Sequence, residues 1–180
     1  MLSRGYDGPV IACVDVGYRD GAGGGVTAAC VCFAAWSDGT PVREFTRRYA
    51  EPAAAYVPGA FWKRELPYLL DMVGEVESRA GATLHAIIVD GYVWLEAGKP
   101  GLGAHLYDAL NARVPVVGIA KTAFHGATSA REVRRGASTK PLFVTAAGID
   151  VAVVADNVCS MHGTFRIPTL LARVDRLSRS

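Results

Sequence analysis

Short apolar runs rich in β-branched residues recur along the first part of the chain. Residues 10–16 form such a run, which a glycine closes, and the pattern predicts a fully buried strand. Two more runs, at 26–36 and 42–49, are separated by turn-forming residues at 37–41. These three segments predict an antiparallel meander.

The pattern changes to helical spacing after residue 60, where apolar side chains recur every three or four positions up to Gly81. Helices are predicted at 61–80, 102–111, 151–161 and 169–177. Further buried strands are predicted at 84–89, 114–120 and 141–146. Three antiparallel strands followed by alternating helices and parallel strands predict an α/β fold, a mixed sheet with helices on both faces. This order of elements is that of the ribonuclease H-like fold.

Composition adds two constraints. A chain of 180 residues with 51% hydrophobic content is the normal size for one domain, which we expect to span 1–180. The net charge is only +2, so a nucleic-acid surface would have to be a local patch. A polar stretch at 124–140 predicts a mobile basic loop, and its cations are Arg131, Arg134, Arg135 and Lys140.

Two features bear on the compartment. Because the first eight residues lack the apolar stretch of a secretory signal and no later segment could span a membrane, we expect a soluble, cytoplasmic protein without membrane contacts. The cysteines lie in apolar runs without metal-type spacing, and we expect all of them to be buried thiols: Cys13, Cys30, Cys32 and Cys159.

Carboxylates interrupt two of the predicted core strands near their carboxyl ends. Asp15 follows residues 10–14, and Asp90 follows residues 84–89. The carboxyl ends of neighbouring parallel strands share one edge of a sheet, where paired carboxylates make a plausible Mg²⁺ site. Either aspartate alone could equally be a cap or turn residue. Glu65, on the first predicted helix, is by default a solvated residue and gains meaning only beside this pair.

Two basic residues could contact phosphate at the same edge. Lys121 closes the predicted strand 114–120, although a lysine at a strand end is more often simply solvated. His105 lies on the predicted helix 102–111 and could contact phosphate or support the site, and a structural role is as plausible.

The string from Tyr56 to Pro67 is more specific than these patterns. Its Tyr-Val-Pro-Gly turn at 56–59, followed by Arg64-Glu65, resembles a motif of the endonuclease V family. The resemblance continues in order through further strings, at 14–18, 89–91, 101–105, 118–121, 141–145 and 166–169.

This resemblance implies a ribonuclease H-like, Mg²⁺-dependent endonuclease that acts in nucleic-acid repair, with Mn²⁺ as an expected substitute. Such enzymes cut DNA or RNA beside deaminated purines, chiefly inosine, at the second phosphodiester on the 3′ side. No obligate protein partner is evident. Carried over by position, the metal and catalytic carboxylates are Asp15, Glu65 and Asp90, with Lys121 as the phosphate-side lysine.

The resemblance also implies a wedge that fills the space left by a flipped base, and a pocket that receives it. An aromatic ring can replace a lost stacking partner, and glycines allow the backbone to approach a base closely. As an alternative, each glycine is explained by an ordinary turn. The wedge and pocket residues are Tyr56, Val57, Pro58, Gly59, Phe61, Gly91, Gly101, Leu102, Gly118 and Phe124, and the expected backbone contacts are His105, Arg131, Arg134, Arg135 and Lys140.

Two departures from the family pattern affect the site. The segment 92–100 lacks the family's Gly-His-Gly and His-Pro-Arg strings and adds Tyr92 and Trp94 to the expected pocket. A metal-site histidine of the family would fall on or near Gly148 and is missing. Asp150 is a candidate substitute ligand, and the alternative, which we favour, makes it the N-cap of the helix that begins at Val151.

Three functions follow from this sequence. The leading hypothesis is an inosine-directed, Mg²⁺-dependent endonuclease. The second is a catalytically weakened nucleic-acid-binding module, which the missing histidine favours and the retained carboxylates oppose. The third keeps the nuclease chemistry and changes the substrate, which the altered segment 92–100 leaves open.

Overall fold

Strands that pair side by side organise the structure, a computed structural model that describes residues 8–19, 24–50, 61–80 and 83–180. Along the chain the elements are β1 (Val10–Tyr18), β2 (Val26–Phe33), β3 (Arg43–Tyr49), α1 (Phe61–Ala80), β4 (Leu84–Asp90), β5 (Trp94–Glu96), β6 (Lys99–Pro100), α2 (Leu102–Ala109), β7 (Val116–Ala120), β8 (Arg131–Val133), β9 (Leu142–Ala147), α3 (Val151–Ser160) and α4 (Thr169–Ser178).

Seven strands form one sheet in the order β3-β2-β1-β4-β7-β9-β8. The antiparallel pairing of β1, β2 and β3 confirms the predicted meander, and β4 and β7 then run parallel to β1. This is the predicted ribonuclease H-like arrangement. One prediction was wrong: β9 runs antiparallel to β7. A parallel strand needs a crossover, usually a helix, and the connection here holds only β8 and loops.

Both faces of the sheet are covered, as predicted. Alternating side chains of a strand point to opposite faces, so Ala12 and Val14 pack in the cluster that contains α1 and α2. Ile11 and Cys13 face the other way and pack in the cluster that contains α3 and α4. Every residue of β2 is buried, which agrees with a strand that is covered on both faces.

The helices follow the predicted periodicity, with small differences at their ends. Helix α1 has its predicted bounds and continues through Pro67. Helix α2 ends at Ala109, two residues earlier than predicted, because Asn111 and Ala112 adopt positive φ values that cannot continue a helix. None of the helices in the described part of the chain is long and apolar enough to cross a membrane.

Three local predictions need correction. Strand β1 extends to Tyr18, so Asp15 lies within the strand and not at its end. The segments predicted as irregular contain the small hairpin β5–β6 and the edge strand β8, which are too short to show a clear period. Cys159 is exposed near the end of α3, whereas the other three cysteines are buried as predicted.

Candidate functional site

Parallel pairing brings the predicted catalytic residues to one edge of the sheet. Val14 pairs with Val89, so Asp15 and Asp90 follow at the same level, and Asp90 pairs with Ile119, two residues before Lys121. Helix α1 places Glu65 at the same cleft, where the Tyr18 hydroxyl donates a 3.3 Å hydrogen bond to its Oε1. The four residues therefore lie together, and we call this edge the carboxylate edge.

Helix α4 contributes a fourth carboxylate, Asp175, which the sequence reasoning missed. The Lys121 Nζ lies 2.6 Å from Asp90 Oδ2 and 3.2 Å from Asp175 Oδ1, so the ammonium bridges the two aspartates. One turn further along α4, the buried Ser178 hydroxyl donates a 2.6 Å hydrogen bond to Asp15 Oδ2. The end of α4 thus contacts Asp15 directly and reaches Asp90 through Lys121.

Gly17 explains why α4 can come so close to β1. A Cβ built on Gly17 would clash with the carbonyl group of Ser178, so only glycine leaves room for the helix end. The C-terminal residues add contacts around the same place, since Arg19 donates to the Ser180 carbonyl and Arg179 donates to Asp175 Oδ1 at 2.8 Å. The packing of Gly17 against α4 therefore positions both Asp175 and Ser178.

Burial, together with nearby negative charge, raises the pKa of two carboxyl groups at this edge. Burial, the charge of Asp15 and, more weakly, that of Asp90 raise the pKa of Glu65 to about 8, although the Tyr18 hydrogen bond opposes the shift. Burial and the charges of Asp90 and Asp175 likewise raise the pKa of Asp15, against the lowering effect of the Ser178 hydrogen bond. An apolar pocket below the aspartates contributes to this loss of hydration, and its lining includes Cys13, Leu142, Ile167, Leu171 and Val174.

Lys121 responds in the opposite sense. Partial burial lowers the pKa of its ammonium, but the hydrogen bonds and charges of Asp90 and Asp175 outweigh burial and raise the pKa above its usual value. Lys121 is therefore a positive group held beside the aspartates. Both ion pairs are more than a quarter exposed, so their contribution to stability is small, about 1 kcal/mol or less each.

The donor set fits a hard divalent cation by its chemistry. Carboxylate oxygens are the ligands that Mg²⁺ takes in proteins, and the raised pKa of Glu65 marks negative charge that a cation would stabilise. Among the residues that the structure describes, however, no three acidic, histidine or cysteine side chains are close enough to hold an ion as they stand. Binding one would require the Lys121 ammonium to leave Asp90 or Asp175.

Arg64 lies at the rim of the same cleft. Its guanidinium stacks over the Tyr18 ring, 4.0 Å from the ring centroid, and its buried Nε has no hydrogen-bond partner. Tyr18 therefore contacts both residues. The Arg64 guanidinium stacks on its ring, and its hydroxyl donates a hydrogen bond to Glu65. Neither Tyr18 nor Arg64 was among the predicted site residues, although Arg64 directly precedes Glu65 and Tyr18 follows Asp15 by three positions.

The predicted pocket glycines serve the packing of the chain itself. A Cβ on Gly118 would meet the backbone of Gly91 and Val93, and one on Gly101 would meet the carbonyl of Tyr92. Gly101 and Gly118 therefore allow residues 91–93 to pack closely against them. Gly91 itself needs glycine for a different reason, because its φ is +138°. Leu102 is buried in the first turn of α2.

The aromatic residues of the segment 92–100 are also used internally. The buried Tyr92 donates a hydrogen bond to the Thr122 carbonyl at 2.8 Å and accepts one from the Phe124 amide at 3.1 Å. Trp94 donates to the carbonyl of Ala146 at 3.1 Å. The loop after Lys121 is thereby tied to the hairpin, and Phe124 keeps a partly exposed ring beside it.

His105 stacks on Trp62 with a centroid distance of 3.7 Å and an angle of 18° between the rings. Burial against this partner lowers the pKa of His105. The contact joins α2 to α1. His105 lies four residues after Gly101, and Trp62 lies three residues before Glu65. The contact that the structure shows for His105 is therefore a packing contact, in line with the structural alternative for this residue.

The four cations predicted in the basic loop differ in their exposure. Arg131, Arg134 and Lys140 are exposed, but Arg135 is only 5% exposed and its guanidinium donates to backbone carbonyls. Its acceptors are Cys159, Met161, Gly163, Phe165 and Arg166. The prediction of Arg135 as a backbone contact was therefore wrong, because its charge is spent inside the protein.

Asp150 does not join the carboxylates. Because β9 is antiparallel to β7, its last residue Ala147 pairs with Val116, so Gly148 and Asp150 lie at the opposite edge of the sheet. Asp150 caps α3 by accepting a 2.7 Å hydrogen bond from the Ala152 amide. The interpretation that we favoured, an N-cap, is therefore confirmed, and the alternative role as a substitute ligand was wrong.

A signal for the missed residues was present in the sequence. Leu171, Asp175 and Ser178 recur at spacings of four and three, so the two polar residues continue the apolar stripe of α4. Polar residues on a buried stripe require partners.

The wedge residues Tyr56, Val57, Pro58 and Gly59 and the side chain of Phe61 lie outside the described residues.

Comparison with known proteins shows the family of this chain. A family model described as Endonuclease V matches residues 4–169. The chain belongs to the endonuclease V family. An Endonuclease V of Nostoc punctiforme is 24% identical over 188 residues, which cover 93% of this chain and 81% of that protein. For the Endonuclease V of a Nostoc sp., the match is 29% identical over 116 residues, 64% of this chain and only 48% of that protein.

Solved structures of the family share the fold. Human ENDOV superposes with a TM-score of 0.71 at 22% identity, covering 94% of this chain and 82% of that chain. The Bacillus subtilis Endonuclease V gives 0.75 at 19% identity, with coverages of 94% and 78%. A Ciona intestinalis Endonuclease V in complex with a DNA 24mer containing an inosine gives 0.77 at 16% identity, with coverages of 94% and 83%. At these identities the likeness shows the ribonuclease H-like fold.

Proposed function

We propose that this protein is a metal-dependent endonuclease that hydrolyses a phosphodiester bond of DNA or RNA beside a deaminated purine, chiefly inosine, in nucleic-acid repair. The observation that carries the proposal is the convergence of Asp15, Glu65, Asp90 and Asp175 at one cleft, where Lys121 bridges Asp90 and Asp175. Family membership supports the nuclease chemistry. The relative that is bound to inosine-containing DNA supports inosine as the lesion.

The residues divide into groups that hold charge and groups that orient them. Asp15, Glu65, Asp90 and Asp175 would hold Mg²⁺, with Mn²⁺ as a substitute. Bound there, the ion would lower the pKa of a water molecule and stabilise charge on the phosphate. Lys121 would exchange one of its aspartate contacts for a phosphate oxygen of the substrate.

The orienting groups are already in place in the structure. Tyr18 donates to Glu65, and Ser178 donates to Asp15, so one oxygen of each carboxylate is engaged by the protein. Such support limits the rotation of carboxylates that act as ligands and is a recurrent feature of metal sites.

A second candidate is the catalytically weakened binding module. The observation that favours it is the Lys121 bridge, because the ammonium occupies two of the carboxylates that a cation would need. A pure binder would gain nothing from buried carboxylates that repel phosphate, which favours the enzyme. A nuclease with a changed substrate is the third candidate, supported by the hairpin β5–β6 in place of the usual family strings.

A cleavage assay separates these candidates. Purified protein is incubated with Mg²⁺ or Mn²⁺ and end-labelled DNA or RNA that carries one inosine, with guanosine at the same position as control. We expect a single cut at the second phosphodiester on the 3′ side of inosine. Binding without cutting would favour the weakened module. Equal cutting of mismatched, branched or undamaged strands would favour the changed substrate.

Substitutions test the assignment of the carboxylates. Asp90→Ala and Asp175→Ala should each abolish cleavage and leave the protein folded, because each removes a negative charge from a crowded cluster. Asp156→Ala, an exposed position on α3, is the matched control and should cut like the unchanged protein. Retained cleavage in Asp90→Ala would contradict the proposal.

A further inference from the structure

Exposed aromatic side chains concentrate near Lys121. Among the described residues, the large hydrophobic side chains that are most exposed are Phe124 at 39%, Val153 at 52% and Phe165 at 79%. Phe124 follows Lys121 by three positions, and Phe165 precedes Arg166, whose guanidinium donates to the backbone carbonyls of Lys121 and Pro141. Val153 lies in the first turn of α3, at the opposite edge of the sheet.

The loop that carries Phe165 is firmly held, although its ring is exposed. Arg135 donates to the carbonyl groups of Phe165 and of the residues on either side of the loop. Gly136, with a φ of +59°, packs so closely on the Thr164 carbonyl that a Cβ would clash with it. An apolar ring on a flexible loop could fold back onto the protein. Here the backbone beneath the ring is held by hydrogen bonds, and the ring is 79% exposed.

The surroundings of Phe165 suit a polyanion. The groove beside the ring is bordered by the hydroxyl-bearing residues Ser138 and Thr164 and by Arg166. Exposed cations at Arg134 and Lys140 belong to the connection that joins β8 to β9 and packs on this loop. An exposed ring beside hydroxyl groups, next to a connection that carries exposed cations, matches a nucleotide, which offers an aromatic base and a charged phosphate.

The size of the patch argues against a protein partner. One aromatic side chain buries about 150–250 Å². A specific protein–protein interface needs about 800 Å² on each partner. Apart from Phe165 and the partly buried Ile167, the apolar side chains of the groove are only those of Ala137 and Ala172. A single base is the occupant that a single ring fits.

We infer that Phe165 stacks on an unpaired base of the same nucleic-acid strand whose backbone passes Lys121. This inference rests on the proposed function and adds to it a contact away from the lesion. The base must be unpaired, because a base inside a duplex has both faces covered by its neighbours. A strand that is single-stranded on the Phe165 side of the cut should therefore bind more tightly than a full duplex.

Abasic scanning of the substrate tests this contact. Fluorescence anisotropy is measured on inosine-containing single strands, with Ca²⁺ in place of Mg²⁺ to prevent cleavage, while one base at a time is removed along the strand. In the unchanged protein, one position outside the lesion should weaken binding about tenfold when its base is removed. Phe165→Ala should weaken binding of the intact strand by the same factor and be insensitive to the abasic site at that position.

Controls make each result decisive. Val153→Ala truncates an exposed apolar side chain far from the carboxylate edge and should leave binding unchanged. Phe165→Trp should keep the affinity, and its Trp fluorescence should fall when the strand binds. Equal binding by Phe165→Ala and the unchanged protein overturns the inference while the proposed function stands. A change only in the oligomeric mass of Phe165→Ala also overturns it, in favour of a contact between copies. If the unchanged protein binds no strand, the proposed function fails together with the inference.

Discussion

Ser178 and Asp15 are 163 positions apart in the chain, yet their side chains are joined by a hydrogen bond of 2.6 Å. Ser178 is only 2% exposed, so its hydroxyl is held by the protein and not by solvent. A hydrogen bond to a carboxylate is stronger than one between neutral groups, and it limits rotation of the carboxylate. The C-terminal helix therefore takes part in the candidate site as directly as the strands do.

Ser178→Ala should weaken the apparent affinity for Mg²⁺ and slow cleavage. Loss of a group that orients a metal ligand typically reduces metal affinity or activity about 10- to 100-fold. The measurement is cleavage rate against Mg²⁺ concentration, together with the Mg²⁺-dependent rise in unfolding temperature. Ser178→Thr retains a hydroxyl and should recover most of the affinity. An unchanged Mg²⁺ dependence in Ser178→Ala would show that the hydrogen bond only supports packing.

Gly17→Ala should destabilise the protein and reduce cleavage together. The added Cβ would clash with the Ser178 carbonyl, so the end of α4 must move and take Asp175 with it. We expect a loss of about 1–3 kcal/mol in the free energy of unfolding. Gly74→Ala is the matched control, because Gly74 lies exposed on α1 with open space around it and should gain up to about 1 kcal/mol. Urea unfolding should show a lower free energy of unfolding for Gly17→Ala and a higher one for Gly74→Ala.

Without divalent metal, stability should fall as the pH rises from about 4.5 to about 8. Folding raises the pKa of Glu65 from 4.5 to about 8, through burial and the charge of Asp15. The folded state therefore binds this proton more tightly than the unfolded state. The resulting stabilisation is fully present below the unfolded pKa and is lost as the pH rises through the folded pKa.

Urea unfolding in EDTA across this range measures the effect, and Glu65→Gln isolates it. The variant cannot ionise, so the difference in stability between it and the unchanged protein should grow with pH and level off above about pH 8. Added Mg²⁺ should stabilise the unchanged protein more at pH 8 than at pH 5.5. A difference that does not change with pH would mean that Glu65 is ionised throughout.

Arg135 and Arg134 should behave in opposite ways despite being neighbours. Arg135→Ala would leave several backbone carbonyls without donors and should cost on the order of 3 kcal/mol or more of stability. Arg134→Ala removes an exposed ion pair with Glu132 and should change stability by less than about 1 kcal/mol. Thermal unfolding compares the stabilities of the two variants. Fluorescence anisotropy with labelled DNA compares their affinities, and only Arg134→Ala should lose affinity while it keeps its full stability. A stable Arg135→Ala would contradict the assigned role.

Local patterns were sufficient for much of the fold. Hydrophobic periodicity is set by residues a few positions apart, so the bounds of α1 and the presence of β1, β2, β3 and β4 could be predicted. The grouping of Asp90 and Lys121 was also predictable, because the carboxyl ends of neighbouring parallel strands share one edge, and Asp15 lies beside them because Val14 pairs with Val89. Glu65 joined them through its place in the family motif.

The remainder depended on contacts between distant parts of the chain. The direction of β9 follows from its pairing with β7 and from the absence of a crossover helix before it, and that direction decided that Asp150 lies away from the site. Asp175 and Ser178 reach the carboxylates only because Gly17 lets α4 pack closely on β1. By itself, the sequence determined which side chains could carry the chemistry. Long-range packing decided which of them meet, because a local pattern contains no information on what a helix face will contact.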